Sequence, residues 1–279
     1  MLRPVSDSPP DGEVTPPSGP DTTVPHSARI WNYWLGGKDN YAVDRAAGDQ
    51  FLAAFPDIAV VARATRAFMG RAVRYLAGEV GIRQFLDIGT GLPTADSTHE
   101  IAQQVAPESR IVYVDNDPVV LLHAHALLRG TPQGATDYLD ADLRDPGAII
   151  AGAAKTLDLA QPVAVMFLGV LGHVTDDGQA QSITRALMDA VPSGSFLVLS
   201  DGTNVVHGSQ GQAAQEDYNE SGAEPYCLRS PEVIARFFDG LDLVEPGVVS
   251  CPRWRPPVSS LSGTLPAEID AFCGVGRKP

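Results

Sequence analysis

The chain has 279 residues, a formal charge of −14, 44% hydrophobic and 19% charged residues, which suits one packed α/β unit with attachments. It holds only three lysines (Lys38, Lys155 and Lys278) and no basic cluster, which argues against duplex nucleic acid as substrate and an anionic membrane surface as partner. The longest apolar run, Pro162 to Gly172, is too short to cross a bilayer, and Cys227, Cys251 and Cys273 fit no metal or redox spacing, so reduced thiols in a cytoplasmic monomer or homodimer are expected.

Residues 1–25 are rich in Pro, Ser, Asp, Thr and Gly and predict a flexible tail, since they cannot bury enough apolar area to offset ordering entropy. Residues 1–26 carry seven prolines and no apolar stretch, so no secretory leader is expected. From Ile30 to Phe55 the chain is aromatic and helical in tendency, broken at Gly36-Gly37 and stopped by Pro56. Asp57 is then a plausible cap for a helix to about Gly78, in which Val61, Ala64, Phe68, Ala72 and Tyr75 recur at helical spacing and predict a face against a sheet. Residues 26–82 thus predict a helical cap on the rest of the chain. Lys38, Asp39, Asn40 and Tyr41 come just after the glycine break; they suit a lid over a ligand or a purely structural cap, and the residues leave both open.

From residue 83 short β-rich runs alternate with helical segments, the pattern of stacked βαβ units. The runs are Gln84–Ile88, Arg110–Val114, Ala135–Leu139, Val163–Leu168 and Phe196–Ser200, followed by Leu241–Ser250 and Ala271–Val275 around a Pro- and Ser-rich loop at 252–267. Asp117-Pro118, Asp145-Pro146 and Ser230-Pro231 each place a capping residue before proline at the first helical position. The prediction is a seven-stranded Rossmann-like α/β fold: five parallel strands, a C-terminal hairpin with one antiparallel strand, and helices on both faces. Residues 203–229 predict an insertion on the acceptor side of this core, residues 83–279.

Phe85-Leu86-Asp87-Ile88-Gly89-Thr90-Gly91 is an apolar strand entering a glycine turn that opens a helix. Gly89 and Gly91 allow close backbone approach to a ligand, and the helix N-terminus offers N–H groups to a carboxylate. Asp87 is placed to meet the positive charge of an amino acid. Asp115, with Asn116 beside it, closes the second strand, where a carboxylate can accept both hydroxyls of a ribose. Asp142 ends the third strand, positioned for an adenine amine, with Leu143 near the ring. Phe167 or Leu168, on the fourth strand, would wall the adenosine. A dinucleotide would use a similar turn, but here Thr94 replaces the third glycine, and no Arg or Lys is expected near the turn. A pyrophosphate tolerates carboxylates poorly, whereas a sulfonium with an ammonium group welcomes them, which selects S-adenosylmethionine.

Asp87–Gly91, Asp115 and Asp142 resemble the first three motifs of class I methyltransferases over about residues 83–202. Ser27–Tyr41, with its Gly37-Lys38-Asp39-Asn40-Tyr41 string, Asp115-Asn116-Asp117-Pro118 and Pro252-Arg253-Trp254-Arg255-Pro256 resemble a family of predicted bacterial S-adenosylmethionine-dependent methyltransferases of unassigned substrate. The resemblance implies the fold, the cofactor S-adenosylmethionine and the product S-adenosylhomocysteine; their place after the glycine break makes Lys38 and Tyr41 candidate cofactor contacts if that segment is a lid. The acceptor is expected to be a small molecule. His173, in the loop after the fourth strand, is the candidate general base, or a histidine that merely bonds backbone. Asp201 could face the acceptor or cap its turn. Trp254 with its flanking arginines could stack on substrate, but fastening the last hairpin is the preferred reading. The six histidines pair with no acid at metal-binding spacing, and no metal is expected. Two alternatives remain: a non-catalytic binder of the same nucleotide, and an NAD(P)-dependent reductase.

Overall fold

The structure is a computed structural model that describes residues 21–93, 96–127, 130–257 and 265–279. The expected tail up to residue 20, Thr94 and the middle of the Pro- and Ser-rich loop lie outside the described residues. The last residues of the expected tail are tied down: Arg29 donates to the carbonyls of Asp21 (3.0 Å) and Val24 (2.7 Å).

Three helices precede the sheet: α1 (Ser27–Trp34), α2 (Ala42–Ala54) and α3 (Ile58–Arg74), the last continuing as a π-helical stretch, Tyr75–Val80. Next come β1 (Gln84–Ile88), α4 (Thr98–Val105), β2 (Arg110–Asp115), α5 (Pro118–Leu127), β3 (Ala135–Asp140), α6 (Pro146–Ala153), β4 (Ala164–Leu168), α7 (Asp177–Asp189) and β5 (Phe196–Gly202). The chain ends with α8 (Ser209–Asn219), α9 (Pro231–Arg236), β6 (Asp242–Leu243), β7 (Val249–Ser250) and β8 (Ala271–Arg277). The capping signals act as written: Asp117, Asp145 and Ser230 accept from the N–H groups of Val119, Ala148 and Val233.

Among the described residues the strands form one eight-stranded sheet in the order β3-β2-β1-β4-β5-β8-β6, with β7 also paired to β8. Strands β1 to β5 run parallel, and β8 lies antiparallel between β5 and β6. This is the Rossmann-like α/β class with an antiparallel C-terminal strand. One element differs. The single run expected over 241–250 is two short strands pairing with opposite ends of β8. Pro246 has no N–H for a ladder and Gly247 turns at φ +84°, so the run breaks there.

Period-two alternation sends residues of each strand to opposite faces. On β4, Ala164 and Met166 join a cluster with Ile30, Phe51, Phe68 and Leu76 from the first three helices. Val165 and Phe167 join the opposite cluster with residues of α6, α7 and α9. Val61, Phe68 and Ala72 of α3 are buried as the spacing predicts, and Ala64 and Tyr75 half-buried. Trp254 is wholly buried against Phe68 (ring centroids 5.3 Å apart), and Arg71 donates to the carbonyls of Trp254 (2.8 Å) and Cys251 (2.6 Å). Trp254 fastens the C-terminal segment to α3 rather than facing a ligand. No described helix is long and apolar enough to cross a membrane, and no group of three metal-binding side chains occurs among the described residues.

Candidate functional site

Parallel strands end at a common edge, and ligands of open α/β sheets bind outside that edge. Here a cavity of about 210 Å³ runs along the carboxyl ends of β1, β2, β4 and β5, reaching Leu143 beyond β3 at one end and Ala271 of β8 at the other. Helices α1, α2, α3 and α8 cover it.

The glycine turn after β1 lies on one side. Gly89 and Gly91 have φ of +69° and +62°, the left-handed region open to glycine. A Cβ on Gly89 would come within 2.2 Å of Val170. Three N–H groups of this turn are spent inside the protein. Those of Gly89 (2.8 Å) and Thr90 (3.3 Å) donate to the Val114 carbonyl, and that of Gly91 donates to Asp115 Oδ2 (2.8 Å). The N-terminus of α4 is also occupied, by a capping box in which Glu100 accepts from the Ser97 N–H at 2.9 Å. Gly89, Thr90 and Gly91 therefore offer a ligand no free N–H.

Carboxylates face the cavity instead. Asp87 is buried on β1, accepts from Thr98 Oγ1 at 2.6 Å, and burial lifts it to about 6 against the pull of Thr98 and Arg66. Asp115 Oδ1 accepts from the Asp117 N–H at 3.0 Å; burial raises its carboxyl, opposed by the N–H groups of Asp117 and Gly91. Asn116 and Leu143 also line the cavity. Asp117 lies 3.0 Å from His26 Nδ1; burial works against its charge, but the His26 hydrogen bond holds it below the ordinary carboxylate range. His26 and Ala28 of the N-terminal segment thus close over the turn.

Four expected residues stand elsewhere. Asp142 is exposed at the cavity's rim and does not line it. Its carboxylate accepts from its own loop at the Arg144 N–H (2.8 Å). Phe167 points into the opposite core and is fully buried; Leu168, one residue on, takes the cavity side because side chains alternate. Lys38 is exposed and Tyr41 carries the Arg29 guanidinium 5.3 Å from its ring centre; neither lines the cavity. The Gly37–Tyr41 string organises the α1–α2 turn. Asn40 donates to Asn32 Oδ1 and the Gly37 carbonyl, both at 3.0 Å, and buried Asp44 accepts from the N–H groups of Tyr41 and His26.

His173 does line the cavity. Its Nδ1 lies 3.0 Å from the Pro225 carbonyl and its ring stands edge-on to Tyr226 at 5.1 Å. A carbonyl only accepts, so in this bond Nδ1 carries hydrogen and Nε2 keeps the lone pair. Burial lowers its pKa below the usual imidazole value, so the ring is neutral near pH 7. Asp201, at the end of β5, is buried on the cavity wall. Arg229 Nη1 donates to its Oδ2 at 2.8 Å and the Tyr226 hydroxyl donates to its Oδ1, while burial pushes its carboxyl up.

Two site residues escaped the sequence reading. Arg66 on α3 lines the cavity close enough to interact electrostatically with Asp87, which corrects the expectation of no arginine at the turn. The signal was available, since Arg66 stands four residues from Ala62 and three from Met69, inside the apolar stripe of α3. Ser200 lines the cavity with a buried hydroxyl that has no partner among the described residues. A serine ending a strand gave no signal.

A family model described as S-adenosyl methyltransferase matches residues 14–279. Among solved structures the chain is similar to a DUF574 family protein from Streptomyces avermitilis (45% identity, TM-score 0.88, covering 93% of this chain and 99% of that one). It is also similar to a candidate methyltransferase from Thermobifida fusca (38% identity, TM-score 0.84, covering 95% and 99%). No curated protein matches it.

Proposed function

The chain belongs to the S-adenosyl methyltransferase family and uses S-adenosylmethionine, and from that premise we propose that it transfers the methyl group in line to a small organic acceptor. The observation that carries the cofactor fit is the glycine turn. The N–H groups of Gly89, Thr90 and Gly91 are consumed by Val114 and Asp115, which leaves none of the three for a diphosphate, while Asp87 and Asp115 present carboxylates to the same space. That donor set suits a sulfonium bearing an ammonium group and a ribose, and disfavours NAD.

Asp87 would meet the ammonium and Arg66 the carboxylate of the methionine part. Asp115, with lone pairs left over from its two N–H bonds, would accept the ribose hydroxyls; Leu143 and Leu168 would flank the adenine and adenosine. Asp142, at the rim, would reach the adenine amine only by turning from Arg144. Bound S-adenosylmethionine supplies a methyl group on positively charged sulfur, already activated for displacement. The protein's task is then alignment and exclusion of water, which the covering helices α1, α2 and α8 perform as a lid. For a hydroxyl acceptor, neutral His173 would take the proton at Nε2. A cavity roofed by helices and an acidic chain with few lysines favour a small acceptor over a polymer.

Calorimetric titration tests this. S-adenosylhomocysteine is expected to bind and NAD to give no heat; the reverse would overturn the cofactor fit. Transfer of an isotope-labelled methyl group to a metabolite pool then separates an enzyme from a silent binder.

A further inference from the structure

The cavity continues past the nucleotide-facing acids to the ends of β4, β5 and β8, and this arm has a different lining. Trp34, Phe51, Phe55 and Tyr218 form one connected cluster over it, with Phe51 centred 5.2 Å from Trp34, 6.0 Å from Phe55 and 5.7 Å from Tyr218. The three acids around the arm are already satisfied: Glu224, beside Tyr218, is paired with Arg144 at 3.1 Å. Asp201 is paired with Arg229 at 2.8 Å. Asp270 lies 2.6 Å from His207 Nδ1 and accepts from the N–H groups of Val206 (2.7 Å) and His207 (3.1 Å). No charge there awaits a counter-ion, and burying a charged ligand against paired groups is costly. Among the described residues one polar side-chain atom of the arm awaits a partner: Ser200 Oγ, buried on the cavity wall, its residue in register with Leu168. Buried hydroxyls are normally bonded, so an orphan facing a cavity marks a ligand contact.

We propose that the methyl acceptor is a flat, uncharged aromatic molecule whose hydroxyl or ring-borne oxygen bonds Ser200 while its rings lie against the Phe51 cluster. This rests on the methyltransferase reading of the same cavity. Aromatic faces prefer offset or edge-on neighbours, which the tilted and edge-on rings of this cluster offer.

The test is calorimetric binding of 2-naphthol, naphthalene, 2-naphthoate and cyclohexanol, each with and without saturating S-adenosylhomocysteine. The cofactor titration alone tests the reading beneath; the arene titrations, run in both states, test the acceptor class, so the two can fail separately. Expected is binding of 2-naphthol, with naphthoate and cyclohexanol each weaker by about 10-fold or more. Ser200→Ala should weaken 2-naphthol by about 3–10-fold, the loss of one neutral hydrogen bond, and leave naphthalene and S-adenosylhomocysteine unchanged. Failure of both arenes to bind, naphthoate or cyclohexanol matching 2-naphthol, or Ser200→Ala weakening naphthalene and 2-naphthol equally would overturn the proposal.

Discussion

Asp115 Oδ2 accepts the Gly91 N–H at 2.8 Å, so the acid that ends β2 also holds the shape of the glycine turn after β1. Its other oxygen accepts the Asp117 N–H at 3.0 Å, leaving a lone pair on each oxygen to face the cavity. One side chain therefore builds the turn and, in the proposed binding mode, would accept the ribose hydroxyls.

Replacing Asp115 should strike both roles. Asp115→Ala should weaken S-adenosylhomocysteine binding by about 1–3 kcal/mol, the range for hydrogen bonds to a charged group. Asp115→Asn, able to keep one acceptor, should lose less. Calorimetry reads both, and unchanged affinity in the alanine variant would remove Asp115 from the ribose.

Gly89 and Gly169 separate backbone strain from crowding. Both have positive φ, but a Cβ on Gly169 meets nothing within 4 Å, whereas one on Gly89 meets Val170 at 2.2 Å. Gly169→Ala should cost about 1 kcal/mol of stability for its backbone alone. Gly89→Ala should add about 1–3 kcal/mol for overlap, and Val170→Ala in the same chain should recover only a fraction of that added part, because the Val170 Cβ that alanine keeps itself stands 2.5 Å from the new methyl. Equal denaturation midpoints for the two single variants would contradict this account.

Asp87 gives a stability signature with a definite sign. Burial lifts its folded pKa from 3.8 to about 6, so the folded state binds the proton more tightly than the unfolded chain. Its contribution favours folding at low pH and is lost as pH rises from about 4 through 6, roughly 3 kcal/mol in all. Asp87→Asn should flatten that slope in ligand-free protein and raise stability at pH 8, while weakening S-adenosylhomocysteine. Urea midpoints measured from pH 4 to 8 decide it; a slope unchanged by the substitution would assign the effect elsewhere.

His173 should govern the acid limb of turnover if the acceptor is a hydroxyl. Burial lowers its pKa below 6.5, so wild-type activity should hold its plateau to slightly acidic pH before falling. His173→Gln should lower kcat by about 100-fold or more and abolish that limb, with S-adenosylhomocysteine affinity kept. A pH–rate profile identical to wild type would reduce His173 to a histidine that bonds Pro225.

Arg229 and Asp201 form a pair with both side chains almost wholly buried. Arg229→Met should cost about 3–5 kcal/mol by leaving a buried carboxylate unpaired, while adding Asp201→Asn should restore much of it. Thermal midpoints of the two singles and the double complete the cycle, and additive losses would contradict coupling through the pair.

The order of elements was legible because strands and helices announce themselves locally. Alternating apolar runs, Asp-Pro and Ser-Pro caps and the Asp87–Gly91 turn each act within a few residues, and the sheet is assembled from them. Leu241–Ser250 misled because its apolar content outweighed the Pro246-Gly247 break in the pattern. Phe167 and Leu168 could not be told apart, because strand phase is set by which face the helices cover.

By itself, the sequence determined the α/β class and the presence of Asp87 and Asp115 at the carboxyl edge, where the cavity lies, all consequences of short-range geometry. Tertiary structure alone decided which way the turn's N–H groups point and that Arg66 meets Asp87 from a helix 21 residues earlier. It also left Ser200 without a partner among the described residues, in a cavity that Phe51 and Tyr218 also line. Those facts depend on contacts between segments distant along the chain, where packing and desolvation, not local propensity, choose each side chain's neighbours.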